Sequence, residues 1–140
     1  MSGEVLLLRG WGLLRFGMGR ADVRAIVRGS VQSRKRGPSA ATAYDFFPGQ
    51  GIFAYYKSDE TLEAVELTKP AAALIEGVDL LDASIERIEL FLNSKSGSVE
   101  RTLDGLTYKE LGVSIYAPDR MEDPRSKPES VLIFCTGYFD

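Results

Sequence analysis

Two parts of the chain carry the same succession of patterns, and this constrains the fold more than any other feature. Residues 51–55 (GIFAY) resemble residues 112–116 (GVSIY). In each part, a helix-forming stretch is followed by this glycine-led strand and then by an apolar strand. A duplicated unit of this kind buries its apolar face by packing or pairing with its copy. The sequence therefore predicts an α+β fold, an antiparallel sheet with two main helices built as a tandem repeat of a helix–β-meander unit.

The helices are predicted from apolar spacing and from capping residues. The first begins after Gly19 and stops before Gly29, with Val23 on its apolar side. The second begins at Asp82, as N-cap, and runs to about Leu92. We expect one domain over residues 1–140, with pseudo-repeats at about 1–70 and 71–140, because this length suits a single hydrophobic core.

Strands are predicted wherever β-branched and aromatic residues lie between turn signals. These segments are 43–47, 52–57, 62–67, 99–102, 106–109, 112–116 and 131–135, and the last is the most apolar and is predicted to be central. Residues 30–42 are predicted to be a polar loop that is mobile or depends on a partner. Residues 117–128 form a second loop, rich in proline and charge.

Histidine is absent from the chain, and Cys135 is the single cysteine. Catalytic triads that need an imidazole and the common zinc sites are therefore excluded. We expect no metal and no cofactor. One cysteine permits no internal disulfide, and no segment is long and apolar enough to cross a bilayer, so the sequence predicts a cytoplasmic protein with no membrane contact.

The charge is unevenly distributed along the chain. Residues 1–37 contain eight basic and two acidic residues, whereas the remainder contains nine basic and eighteen acidic residues. The simplest interpretation is that the two parts attract each other in the fold. An acidic partner is the alternative, and the sequence pI of about 5.1 argues against nucleic acid.

No catalytic motif is found. The segment Gly10-Trp11-Gly12 lacks the third glycine of a dinucleotide loop, and no phosphate-binding P-loop occurs. Glu63 and Glu66 lie three residues apart in a predicted strand, so we expect them on opposite faces. Cys135 ends an apolar strand and is predicted to be a small buried hydrophobe. We therefore assign no catalytic residue and favour a non-enzymatic role.

Aromatic residues on the predicted strands suggest a binding surface. Because side chains alternate along a strand, a sheet packed on one side presents some of these rings on the other. Exposed tyrosine and phenylalanine near charged groups are typical of protein interfaces. The alternative is that the sheet of the other half covers them. The candidate binding residues are Arg15, Phe53, Tyr55, Tyr116, Asp119, Glu122, Asp123 and Tyr138.

Residues 17–26 (GMGRADVRAI) resemble the helix start of the BamE and β-lactamase-inhibitor-protein-like group. Gly19 stands where that group usually has serine or threonine. Residues 111–118 (LGVSIYAP) and 137–140 (GYFD) look like small bacterial proteins, some of which resemble immunity proteins of toxin systems. The resemblance implies a helix followed by an antiparallel sheet, sometimes in tandem, and a binding module.

Three hypotheses follow. The first is a non-enzymatic protein-binding module, an immunity or inhibitor protein whose acidic loop at 117–128 mimics a nucleic-acid backbone and blocks a basic toxin site. The second is a small-ligand protein or unusual enzyme, with Arg15, Tyr55, Tyr116 and a carboxylate in a cleft between the halves. The third is a structural subunit that self-associates through an edge strand at residues 5–8.

Overall fold

The computed structural model describes residues 3–38 and 42–139. Within these ranges the helices are α1 (Arg20–Ile26) and α2 (Ile85–Asn93). The strands are β1 (Val5–Leu6), β2 (Gly10–Trp11), β3 (Leu14–Arg15), β4 (Gln32–Lys35), β5 (Ala43–Phe47), β6 (Ile52–Tyr56), β7 (Leu62–Leu67), β8 (Leu74–Ile75), β9 (Val78–Asp79), β10 (Glu100–Thr102), β11 (Gly105–Tyr108), β12 (Val113–Tyr116) and β13 (Ser130–Phe134).

Eight of these strands form one antiparallel sheet in the order β10-β11-β12-β13-β7-β6-β5-β4. The meander β4–β7 follows α1, the meander β10–β13 follows α2, and the two meanders meet where β7 pairs with β13. At this junction Leu67 lies opposite Val131, and Val65 lies opposite Ile133. The predicted α+β class, the antiparallel sheet and the central place of the last apolar strand are confirmed. That the two units arose by duplication stays a prediction.

One face of the sheet, here called the inner face, packs against the helices. Alternate strand residues such as Ile52, Ile115 and Ile133 belong to one buried core together with Val23 of α1 and Ile88 of α2. This alternation is what strands give when one face is buried. No helix in the described ranges is long and apolar enough to span a membrane.

A small sheet of β1, β2 and β3 and the hairpin β8–β9 complete the layer on the inner face. Trp11 is buried, and its indole Nε1 donates to the carbonyl oxygens of Ala72 at 2.8 Å and Gly3 at 3.1 Å. β1 pairs with β2, and Glu4 forms a bridge with Leu74 beside it. The edge strand predicted at residues 5–8 is present as β1, which lies at the end of the small sheet but stops at Leu6. Self-association through this strand stays a prediction.

Two further boundaries differ from prediction. The predicted loop at residues 30–42 contains β4, while residues 39–41 of that prediction lie outside the described ranges. The second helix is capped by Ser84, whose side-chain oxygen accepts from the Arg87 amide at 3.3 Å, and not by Asp82. Asp82 lies outside the first helical turn and therefore cannot cap it. Its Oδ1 instead accepts a hydrogen bond from Lys127 Nζ at 2.8 Å. Gly19 is the N-cap of α1, as predicted.

A fully buried carboxylate, Asp45, joins α1 to the sheet. Arg24 binds it in a bidentate manner, with Nε 2.8 Å from Oδ2 and Nη2 2.7 Å from Oδ1. Arg20 Nη1 donates to Oδ1 at 2.8 Å. The hydroxyls of Tyr56 and Ser33 also donate to it, at 3.0 and 3.2 Å. Such a carboxylate is stable in the interior because each of its lone pairs has a donor.

This cluster accounts for part of the charge asymmetry along the chain. Arg20 and Arg24 lie in the basic segment, and Asp45 lies in the acidic remainder. Arg20 Nε also donates to Glu60 at 2.7 Å, another residue of that remainder. The expected attraction between the two parts therefore exists at α1.

Asp45→Asn is expected to lower the free energy of unfolding by about 3 kcal/mol, because two arginines then lose their buried counter-ion. Burial alone would raise the pKa of Asp45, but the hydrogen bonds from Arg24 and Tyr56 and the charges of both arginines hold it below the usual 3.8. The stabilisation is therefore complete above pH 3.8 and is lost as the pH falls through the lowered folded-state pKa.

Urea unfolding of wild type and Asp45→Asn over a pH series measures this difference. The difference in free energy of unfolding should be constant near neutral pH and should become smaller in acid. The control Asp119→Asn changes an exposed carboxylate and should stay within about 0.5 kcal/mol of wild type. Equal stability of the two variants near neutral pH would contradict the assignment.

Candidate binding surface

The outer face of the sheet, opposite the helices, carries a group of aromatic and arginine side chains on β4, β5 and β6 and just after β4. Cross-strand register places Phe46 opposite Phe53 and Arg34 opposite Tyr44, so these side chains share one face. We call the group the aromatic–arginine surface. Its members are Arg34, Arg36, Tyr44, Phe46, Phe53 and Tyr55.

The rings of this surface pack against one another and stay partly exposed. Phe46 stacks on Phe53 with ring centroids 4.3 Å apart, and Tyr44 lies 5.4 Å from Tyr55. All four rings are half-buried. The alternative that the sheet of the other half covers them is wrong, because the two meanders join edge to edge in a single sheet. Because no second layer formed by the described residues covers this face, it is available for contact with another molecule.

Tyr55 is the most constrained residue of the surface. Its hydroxyl donates to Glu66 Oε1 at 2.6 Å, and the Arg36 guanidinium lies 3.7 Å above its ring. Arg36 Nη2 also donates to the Tyr138 hydroxyl at 2.9 Å. Burial, the hydrogen bond to Glu66 and the charge of Glu66 raise the pKa of Tyr55 above its usual value of 10. These contacts fix the arginine and the ring relative to each other.

Tyr138 and Phe139 pack on the same face, beside Tyr55. Tyr138 stacks on Phe134 at 5.4 Å, and Phe139 meets Phe134 edge-on at 5.0 Å. Phe134 is thereby buried although it lies on the outer face. This ring cluster adjoins the aromatic–arginine surface through the bond between Arg36 and Tyr138, so the surface continues across the middle of the sheet.

A β-bulge between Tyr55 and Tyr56 brings a second carboxylate to this region. The extra residue on the opposite strand is Glu63, and it lines a groove of about 480 Å³ together with Arg36 and Tyr55. Glu66 binds the same tyrosine. The prediction that Glu63 and Glu66 point to opposite faces is therefore wrong, because a bulge shifts the side-chain alternation by one residue.

Three of the predicted binding residues come together here, namely Phe53, Tyr55 and Tyr138. Arg15 lies on β3, exposed, and its Nη1 donates to the carbonyl oxygens of Gly12 and Leu14. Tyr116 is exposed at the end of β12, and β13 and β7 separate β12 from β6. The three residues predicted to line a cleft, Arg15, Tyr55 and Tyr116, therefore lie on three separate strands.

The loop at residues 117–128 holds the other three predicted residues, Asp119, Glu122 and Asp123, all exposed. Its three acidic side chains are matched by Arg120, Arg125 and Lys127, so the loop has no net charge. Asp123 Oδ1 accepts from the backbone amide of Arg125 at 3.0 Å, a local turn contact. The loop therefore lacks the excess negative charge that mimicry of a nucleic-acid backbone needs.

Sequence reasoning missed Arg34, Arg36 and Glu66, and its candidate binding residues also lacked Tyr44 and Phe46. Arg34 and Arg36 lie in a run of polar and charged residues without apolar alternation, so no strand pattern marked them. Glu66 lies in a correctly predicted strand, but the pattern placed it on the face opposite Glu63 and did not identify Tyr55 as its partner.

The groups at this surface are suited to non-covalent binding. Cys135, just beyond β13, is half-buried, and burial raises the pKa of its thiol, which disfavours the nucleophilic thiolate. The described ranges contain no cluster of three carboxylate or thiol side chains that would hold a metal ion. Comparisons of the chain with protein-family models, curated proteins and solved structures give no significant match.

Tyr55→Phe is expected to lower the free energy of unfolding by about 1 kcal/mol below pH 10, because the half-buried hydroxyl no longer binds a carboxylate. Because the pKa of Tyr55 is raised in the folded state, its contribution to the free energy of unfolding is complete below the unfolded-state pKa of 10. This contribution is lost as the pH rises toward the folded-state pKa. The difference in free energy of unfolding between wild type and Tyr55→Phe should therefore become smaller at alkaline pH.

Urea unfolding between neutral pH and about pH 11 tests this dependence. Tyr116→Phe is the matched control, since that exposed hydroxyl has no hydrogen-bond partner in the described part of the chain. A Tyr55→Phe protein as stable as the control at neutral pH would show that the contact with Glu66 contributes nothing.

Proposed function

We propose that this chain is a non-enzymatic protein-binding module whose partner docks on the aromatic–arginine surface. One observation carries the proposal, namely that half-exposed rings flanked by two arginines lie on an open sheet face. Tyrosine and arginine dominate the energetically important residues of protein interfaces. The groups are also prearranged by the contacts among Arg36, Tyr55 and Tyr138, which lowers the entropy lost on binding.

Within this class we propose an immunity or inhibitor role in the cytoplasm. Two features support it: the resemblance of residues 111–118 and 137–140 to small bacterial proteins, some of which resemble immunity proteins, and the single cysteine, which suits a reducing compartment. The docking site of this proposal is the aromatic–arginine surface instead of the loop at 117–128, since that loop carries no net charge. The partner would then be a toxin inhibited by coverage of its active surface.

A small-molecule ligand is the second candidate, and the groove beside Tyr55 is the observation that favours it. Its volume of about 480 Å³ falls in the range of ligand pockets, and Arg36, Lys57 and Glu63 line it together with aromatic rings. The groove opens on the same surface as the protein-docking site. Variants of Arg36 would affect both functions, whereas Phe53 does not line the groove.

Phe53→Ala is expected to weaken partner binding about 30-fold, because truncating a central interface ring costs about 2 kcal/mol. Arg36→Gln, which removes the charge above Tyr55, should weaken it about 10-fold. The partner is first captured from a native lysate by wild-type protein and identified, and its affinity is then measured with purified proteins by calorimetry. If the partner is a toxin, relief of its inhibition provides a second measurement.

The matched control is Leu90→Ala, which removes an exposed apolar side chain from α2, on the other side of the sheet. It should bind as wild type does. Circular dichroism confirms that each variant is folded. A partner whose affinity is unchanged by Phe53→Ala and Arg36→Gln but reduced by Leu90→Ala would overturn the assignment of the outer face.

A further inference from the structure

We propose that β4 accepts an extended acidic segment of a partner protein as a ninth strand of the sheet. This rests on the proposed protein-binding function and specifies the chemistry of the partner. β4 lies at the end of the sheet, and all four of its residues are exposed. Among the described residues it pairs only with β5, so its other side offers backbone donors and acceptors to an incoming strand.

The charges of this edge are positive on both sides of the strand. Arg34 shares the outer face with Tyr44, whereas Lys35 points to the other side, opposite Ala43. Arg36 follows and lies over the Tyr55 ring. In an added strand in which every second residue is acidic, the carboxylates share one face and would lie beside Arg34 on the outer face or beside Lys35 on the other.

These cations have no carboxylate partner within the described ranges. Arg34 Nη2 donates to the neutral side chain of Gln32 at 2.6 Å, and Arg36 contacts Tyr55 and Tyr138. The nearby carboxylate Asp45 is fully buried and already bound by two other arginines. The positive charge of β4 is therefore free to interact with a partner.

The opposite end of the sheet differs in this respect. On β10, Glu100 pairs with Lys109 at 3.2 Å, and Arg101 pairs with Glu89 at 2.8 Å. The charges of β10 are thus neutralised within the molecule, and those of β4 are not. This contrast assigns the docking edge to β4, although both end strands are exposed.

A second copy of this chain is a poor occupant of the same edge. Pairing β4 with β4 would bring Arg34 and Lys35 of both copies close together, and like charges across strands are destabilising. An acidic strand avoids this repulsion, and its carboxylates are attracted to the same cations. The edge is also held in place, because Ser33 on β4 donates to the buried Asp45 at 3.2 Å. The added strand therefore meets a preformed template.

The test is a titration of ¹⁵N-labelled full-length protein with a synthetic peptide of about seven residues, capped at both ends, in which glutamate alternates with valine. We expect saturable shifts of the backbone amides of residues 32–36 and of β5. Arg34→Glu/Lys35→Glu should abolish them. Arg9→Glu/Arg125→Glu makes the same change in net charge at exposed sites away from the edge and should bind as wild type does.

A peptide with lysine in place of glutamate should not shift these amides. Several results would overturn the proposal: no shift at β4, equal shifts with the lysine peptide, shifts centred on β10, or a thymidine oligonucleotide that binds β4 more tightly than the acidic peptide. If the peptide fails while the captured partner still depends on Phe53, β4 is not the docking edge and the protein-binding function stands.

Discussion

The pairing of Asp45 with Arg20 and Arg24 is the interaction on which the proposed site depends. One buried carboxylate accepts from α1, from β4 through Ser33 and from β6 through Tyr56. β4 is otherwise an exposed strand at the end of the sheet, with no apolar side chain to bury. Its inner side is held by the carboxylate, and its outer side is thereby free to present Arg34 beside the aromatic rings.

The second constraint is the way in which the two meanders join. Because β7 pairs with β13, the halves extend one sheet and do not stack as two. The helices and the small sheet cover the inner face, whereas no second layer of helix or strand in residues 3–38 and 42–139 covers the outer face, on which Tyr138 and Phe139 pack against Phe134. The open face is thus a result of topology, and its aromatic content on the β4–β7 side is what turns it into a candidate interface.

Local pattern was enough to predict most of the sheet and the start of α1. Leu62–Leu67 and Ala43–Phe47 were predicted with the observed bounds, since β-branched and aromatic residues there lie between clear turns. β4 could not be recognised because its four residues are polar or charged, and its strand character comes from pairing with β5 and from Asp45.

The geometry of the site depends on contacts distant in sequence. The bulge opposite Glu63 and the carboxylate that holds α1 each join segments that no local pattern connects. Sequence reasoning therefore predicted Phe53, Tyr55 and Tyr138 as binding residues but not the arginines that complete the surface.

The single tryptophan gives a spectroscopic consequence of the fold, because Trp11 is buried between Gly3 and Ala72. Its fluorescence therefore reports on the small sheet that packs on the inner face. Emission that stays constant while a ligand saturates the outer face would indicate that binding leaves this layer unchanged.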